Sequence, residues 1–470
     1  MRPAGTNAPE FDVQFDVLVI GAGGCGLAAA LAAHDAAPDI EVAVVEKADR
    51  LQGNTMLSSG SIPAAGTRLQ REAGLHDSPA DFVEDLRHIA GEHEMSALAH
   101  RLAGVSAELV DWLTGAVGAR LTLVETYKHI GHRQFRLHAP PSRRGSDLMD
   151  ELARALERRG IPLAYGNPAL ELLTEPGEGV VGVITSTPDG VRTAIGARAV
   201  ILAANGFGAN RALLARYCPE VAEVPYGGSP TSEGEALQWG EALDAALANM
   251  GAYQAHASLA DPHGSLVTWT VVEKGGVIVD GQGRRFGDES IGYSAFASLE
   301  LARTGPFYVV ADTRVRDLTA AGQDEYAELV RHNGVVEAPD AQALAARLGL
   351  PGDVLATTLV EAAAAARGER ADLHGRTHWG LGPLSSPYTA TRIGPALFHT
   401  QGGLRVDDDA RVLRPDGKPI PGLYAGGGAA AGISGRHGSS GYMSGNGLLA
   451  ALGLGYLAGR AAVGDILQRH

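Results

Sequence analysis

Cysteine is nearly absent: Cys25 and Cys218 are the two in 470 residues. Two thiols cannot build a disulfide framework, a zinc site or an iron–sulfur cluster. No C-x-x-C-H occurs, which excludes a c-type haem attached within this chain. Positive charge is scarce as well, with 39 Lys+Arg against 54 Asp+Glu and a net charge of −15. That balance argues against nucleic acid or an anionic membrane as partner. Long apolar runs are missing too. The longest, Gly447 to Gly459, ends at Arg460 and falls short of a membrane span. The opening "MRPAGTNAPEFDVQF" lacks the apolar core of a signal peptide, so the expected location is cytoplasmic. No metal site is expected.

What is present is glycine, 63 residues of it, clustered without a collagen-like period. Clusters of this kind suit backbone that hugs a ligand. At this length two domains are the natural expectation. The first ordered feature reads strand, turn, helix: "FDVLVI", then "GAGGCG", then "LAAALAAHDA". A second strand, "EVAVVEK", ends in Glu46 and Lys47. Gly21, Gly23 and Gly26 make G-x-G-x-x-G in the context that gives this weak pattern meaning, with an acidic residue at the end of the next strand. Glycines let the backbone approach a pyrophosphate, the helix N-terminus favours its charge, and Glu46 can accept from ribose hydroxyls. The spacing alone does not separate FAD from NAD.

A Gly/Ser loop, "QGNTMLSSGSIPAAG", follows, and helical periodicity runs from Ser78-Pro79 through "ADFVEDLRHIAGEHEMSALAHRLAGVSAELVDWL". The His/Arg-rich stretch "HIGHRQFRLH" reads by default as a solvated loop, with the lining of a pocket mouth as the alternative, and Cys25 reads as packing. From about Tyr253 to Pro395 the character changes to mixed strands, turns and alanine-rich helices before the glycine-rich style returns. The expected architecture is α/β: a Rossmann-like, glutathione-reductase-like domain over 1–251 and 397–470, with an inserted α+β capping domain over 252–396.

"EKADRLQGNTMLSSGSI", "VILAANGFGAN", "HTQGGLRVD" and "GKPIPGLYAGGGAAAG" resemble the fumarate reductase/succinate dehydrogenase flavoprotein superfamily, which includes flavin-dependent 3-ketosteroid dehydrogenases. The resemblance implies FAD. Its pyrophosphate turn would use Gly21, Gly23, Gly24 and Gly26, with Glu46 and Lys47 toward the adenosine. Asn54, Thr55, Ser58, Ser59 and Gly60 would lie near the isoalloxazine. Ala169, Ala203, Asn205 and Gly206 would add contacts, as would Gly426, Gly427, Asn446, Leu448 and Leu449. Members that link FAD covalently use a histidine where this chain has Asn54, so the flavin is expected to be noncovalent.

The same resemblance makes His256 and His399 substrate-holding histidines and Glu273 a proton-relay glutamate. Two departures redirect the chemistry. Where fumarate reductases carry a proton-donating arginine this chain has Tyr293, and where they carry a carboxylate-clamping arginine it has Tyr442. Losing both guanidiniums removes the bidentate forks a C4-dicarboxylate needs. Ketosteroid dehydrogenases resemble this chain at both places, with one tyrosine taking an α-proton and the other polarising the ketone. Ser444 adds a hydroxyl beside the presumed carbonyl site. The expectation is an FAD-dependent dehydrogenase that introduces a double bond beside a carbonyl, on a small carbonyl or carboxylate substrate, with an unidentified external electron acceptor. Retention of His256 and His399 suits a substrate smaller or more polar than a steroid, such as a cyclic ketone bearing an acid. An ene-reductase running the reverse reaction is the alternative, and a flavoprotein subunit of a redox complex the third reading.

Overall fold

The computed structural model describes residues 10–125, 128–177 and 179–468. The chain divides into two compact units. The first comprises 1–222, 228–253 and 399–470, and the second 223–227 and 254–398. The inner boundaries thus fall at Tyr253/Gln254 and Phe398/His399, and a short 223–227 segment also joins the second unit.

The first unit is built on a parallel sheet. Val17–Ile20 pairs with Val42–Val45 on one side and Ala199–Leu202 on the other, and Val200–Leu202 pairs in turn with Leu423–Ala425. These segments are continuous β-branched or apolar runs because both faces of the sheet are buried here, so alternation would bury polar groups. Two antiparallel strands, Ala169–Glu175 and Gly179–Ser186, extend the sheet beside Arg192–Leu202. The helix Gly24–Ala36 packs along the helix Asn446–Gln468 at very short range. A Cβ on Gly455 would lie 2.3 Å from Cys25 O, and one on Gly459 would lie 2.2 Å from Ala29 O. Glycines in that segment therefore serve helix–helix approach as well as the ligand.

Three expectations change here. The expected Gly/Ser loop contains a helical turn, Asn54–Leu57. The long helical run is two helices, Pro79–Ala90 and Ser96–Trp112, because Gly91 caps the first. The last apolar run extends to a 23-residue helix long and apolar enough to cross a membrane, and 72% of its most apolar window is buried within the fold. Arg460 fits such a helix because its guanidinium lies over the Tyr456 ring and bonds its hydroxyl.

The second unit is α+β. Val277–Asp280, Phe307–Asp312 and Tyr388–Ile393 form antiparallel neighbours, and Gly251–Ala260 lies next in the order. Helices Ala341–Leu348 and Gly352–Ala366 pack their apolar faces on Val277, Val279 and Val310.

Candidate active site

The glycine turn is shaped by contacts only glycine allows. Gly21 sits at φ +103°, and a Cβ there would lie 2.4 Å from Ala203 O. A Cβ on Gly26 would meet Gly21 O, whereas at Gly23 nothing lies within 4 Å, so this edge of the turn faces open space. Gly24 opens the helix against Thr55. Glu46 directly follows the strand Val42–Val45 and is buried, accepting from Ala22 N at 2.7 Å and Ala48 N at 2.9 Å. Lys47 is engaged by Glu233 and Glu235.

The Asn54–Gly60 segment is locked internally. Asn54 Oδ1 accepts from Ser229 N at 2.7 Å, Ser58 Oγ donates to Thr55 O, and Gly60 N donates to Ser58 Oγ. Ser59 Oγ lies 2.9 Å from Ser61 Oγ. Asn205, at φ +64°, donates to Ser232 Oγ and accepts from Gly206 N. Gly426 and Gly427 pack on Cys25, which is therefore a packing residue. Ala169 begins its strand just after Asn167, whose N–H bonds Glu46 O. The open edge at Gly23, the fixed carboxylate of Glu46 and the helix start behind the turn fit the pyrophosphate and ribose of a dinucleotide.

Three groups converge at the start of the last helix. Gly447 N donates to Tyr442 Oη at 3.4 Å, and a Cβ on Gly447 would lie 3.0 Å from His399 Nε2 and 3.3 Å from Tyr442 Oη. The His399 and Tyr442 rings meet edge-on at 5.4 Å. His399 Nδ1 lies 3.1 Å from Gln401 Nε2 and 3.4 Å from Thr400 O, so neighbours hold this edge of the ring while Nε2 faces the corner. Burial holds His399 down to about 4 and pushes the Tyr442 phenol up to about 12, the Gly447 N–H pulling the other way. At neutral pH the corner is thus an uncharged imidazole and an uncharged phenol beside a backbone amide. The amides of Leu448 and Leu449 both bond Gly445 O, and Asn446 Nδ2 reaches Ser434 Oγ while its buried Oδ1 has no partner among the described residues.

Ser444 is pinned from both sides: its carbonyl accepts from His132 Nε2 at 2.8 Å and its amide donates to Ile130 O. The 129–138 stretch is therefore not a solvated loop. Arg136 is 1% exposed, bonding Asp77 through Nε (2.6 Å) and Nη2 (2.7 Å) and Asp85 through Nη1, with its guanidinium over the Phe82 ring. Carboxylates some fifty to sixty residues earlier in the chain supply what the sequence pattern assigned to water.

In the second unit Tyr293 opens the helix Tyr293–Leu301 and stacks on His256, centroids 4.6 Å apart and 13° between planes. Trp269 stands edge-on to both rings. Ser258 N donates to His256 Nδ1 at 3.2 Å, so this ring carries its proton on Nε2, and burial holds it down to about 3. Glu273 ends the short helix Thr270–Glu273, which follows Trp269 directly. Gln401, Ser258 and Trp269 were missed in the sequence. Ser258 had a signal, since it lies two residues after His256 in the strand Gly251–Ala260, where alternate side chains share a face.

The buried histidines have a measurable consequence. Burial depresses His132, His138 and His399 to about 4 and His129 and His256 to about 3, from an ordinary 6.5. Below pH 6.5 the unfolded chain takes up protons that the native chain refuses. Stability is then fully present above that pH and lost as pH falls toward 4, by about 1.4 kcal/mol per pH unit for each such histidine. Denaturant midpoints measured from pH 7.5 down to 4.5 should drop steeply; a flat profile would contradict the burial.

Residues 16–447 match the FAD binding domain family. The fumarate reductase (cytochrome) of Shewanella frigidimarina is 30% identical over 469 residues, covering 98% of this chain and 79% of that protein. The NADH:fumarate oxidoreductase of Klebsiella pneumoniae is 30% identical over 455 residues; the alignment covers 96% of this chain but 48% of that protein, so the chain spans about half its length. Among solved structures, the 3-ketosteroid-Δ4-(5α)-dehydrogenase of Rhodococcus jostii RHA1, in complex with 4-androstene-3,17-dione, aligns with TM-score 0.78 and 26% identity, covering 98% of this chain and 100% of that one. With a dinucleotide cradle that fits FAD and relatives on both the fumarate reductase and ketosteroid dehydrogenase sides, the chain belongs to the FAD binding domain family and is an FAD-dependent oxidoreductase.

Proposed function

We propose that this enzyme introduces a carbon–carbon double bond beside a carbonyl, with Tyr442 and Gly447 N–H binding the carbonyl oxygen and Tyr293 taking the α-proton. The observation that carries this reading is the convergence of Tyr442 Oη, Gly447 N and His399 Nε2. A neutral donor set of this kind suits an oxygen that gains negative charge as its α-carbon is deprotonated. FAD, when bound, supplies the two-electron chemistry. Tyr293 sits on the first turn of its helix, where the dipole favours a phenol that carries negative charge. His256, neutral and stacked on it, fixes the ring without competing for the proton.

The similarity to fumarate reductases favours a second reading, reduction of an unsaturated acid or enone by the same groups in reverse. Turnover with an artificial electron acceptor separates the two. Saturated ketones should yield conjugated enones and reduce the acceptor. Products formed only from unsaturated substrates and a reductant would favour the reductase.

FAD is proposed to be held noncovalently, because Asn54 offers a carboxamide already bonded to Ser229 N where covalent relatives need a histidine. Acid precipitation should leave yellow FAD in the supernatant. Colour retained in the pellet contradicts it.

A further inference from the structure

The guanidiniums missing from positions 293 and 442 have a counterpart elsewhere in the first unit. Arg143 sits in the turn before the helix Gly145–Arg158 at φ +58°, a region a bulky side chain seldom adopts. Its side chain is half-buried. Nη2 donates to Ser61 Oγ at 3.4 Å, while Nε is buried and meets no acceptor among the described residues. Arg133, Arg136 and Arg159 all lie on aspartates, whereas no ion pair joins Arg143 to a carboxylate among the described residues. His129 offers no compensation, since burial first, and then Arg143 itself, hold it neutral, down to about 3. Water reaches the exposed part of this guanidinium, and the buried Nε is the donor that a ligand would complete.

Its place in the fold says which ligand. Ser61 runs directly into the strand Ile62–Pro63, and a Cβ on Gly445 would lie 2.7 Å from Pro63 Cδ. Gly445 stands between Ser444 and Asn446, in the segment that carries Tyr442 and Gly447. A chain of contacts through Ser61, the strand Ile62–Pro63 and Gly445 thus links Arg143 to the segment of the carbonyl corner.

We infer that Arg143 is an anion clamp for a carboxylate carried by the substrate several bonds from its carbonyl, with the Ser59 and Ser61 hydroxyls beside it. This rests on the reading of the Tyr442 corner as the carbonyl site, and it narrows the substrate class to keto acids.

The test is an anaerobic titration of the FAD-loaded enzyme, followed through the flavin spectrum. The probes are oxocyclohexanecarboxylate, with acid and ketone on opposite ring carbons, and its methyl ester. The wild type should bind the acid at least about 10-fold more tightly than the ester, since charge-assisted bonds are worth that much. Arg143→Asn suits the left-handed backbone and removes the guanidinium. It should raise the acid's half-saturation by about 10- to 100-fold and leave the ester and the FAD content unchanged. Arg143→Lys, which keeps the charge without the fork, should fall between. Equal binding of acid and ester by the wild type, or an acid preference surviving in Arg143→Asn, overturns the clamp. Loss of FAD from both variants would instead give Arg143 to the cofactor's phosphates and also overturns it. If the acid binds through Arg143 yet never reduces the flavin, the clamp stands and the desaturase reading falls.

Discussion

Replacing Tyr293 with phenylalanine should lower kcat by about 10²–10⁴, the usual worth of general acid–base catalysis. The variant keeps the ring that stacks on His256 at 4.6 Å and loses only the hydroxyl. Substrate affinity should therefore change little, and the loss should appear in kcat rather than KM. A loss confined to KM would mean that Tyr293 packs and positions but moves no proton. Near-normal flavin reduction in this variant, with a verified substrate, would remove it from the chemistry.

At the carbonyl corner, Tyr442→Phe should cost about 10²–10³ in rate, as for other donors aimed at a developing oxyanion. Gly447→Ala tests the same corner without touching a donor. Its added methyl would sit 3.0 Å from His399 Nε2 and 3.3 Å from Tyr442 Oη, in the space the oxygen needs. A comparable loss from both changes, with FAD retained, locates the oxygen between them. If Tyr442 and Tyr293 serve one transition state, their double variant should be less than multiplicatively impaired. Fully multiplicative losses would assign them to separate steps.

Much of this was legible before any coordinates. The glycine turn and Glu46 follow from local pattern, because a strand–turn–helix that cradles phosphate must place glycines at fixed offsets. Tyr442 stood out because an aromatic in a glycine cluster marks backbone shaped around a ligand. The tautomer of His256 is not evident from the sequence, although Ser258 sits at the spacing that sets it. The 129–138 stretch was misread because charge pattern reports a side chain's need for a partner and not the partner's identity. Asp77 and Asp85 come from a distant helix and its lead-in, a pairing no local window contains. Arg143 escaped for the same reason in reverse: what distinguishes it is a backbone angle and the absence of an ion pair among the described residues.

Single-turnover mixing tests the central claim most directly. Oxidised, FAD-loaded enzyme is mixed anaerobically with a panel of saturated cyclic ketones and keto acids while the main visible flavin band is followed. α,β-Dehydrogenation predicts bleaching of that band with at least one of them, at a rate that falls in Tyr293→Phe and Tyr442→Phe, with one enone formed per flavin reduced. If no saturated carbonyl compound bleaches the oxidised flavin, while the pre-reduced enzyme is rapidly reoxidised by enones or unsaturated acids, the enzyme is a reductase and the proposed direction is wrong.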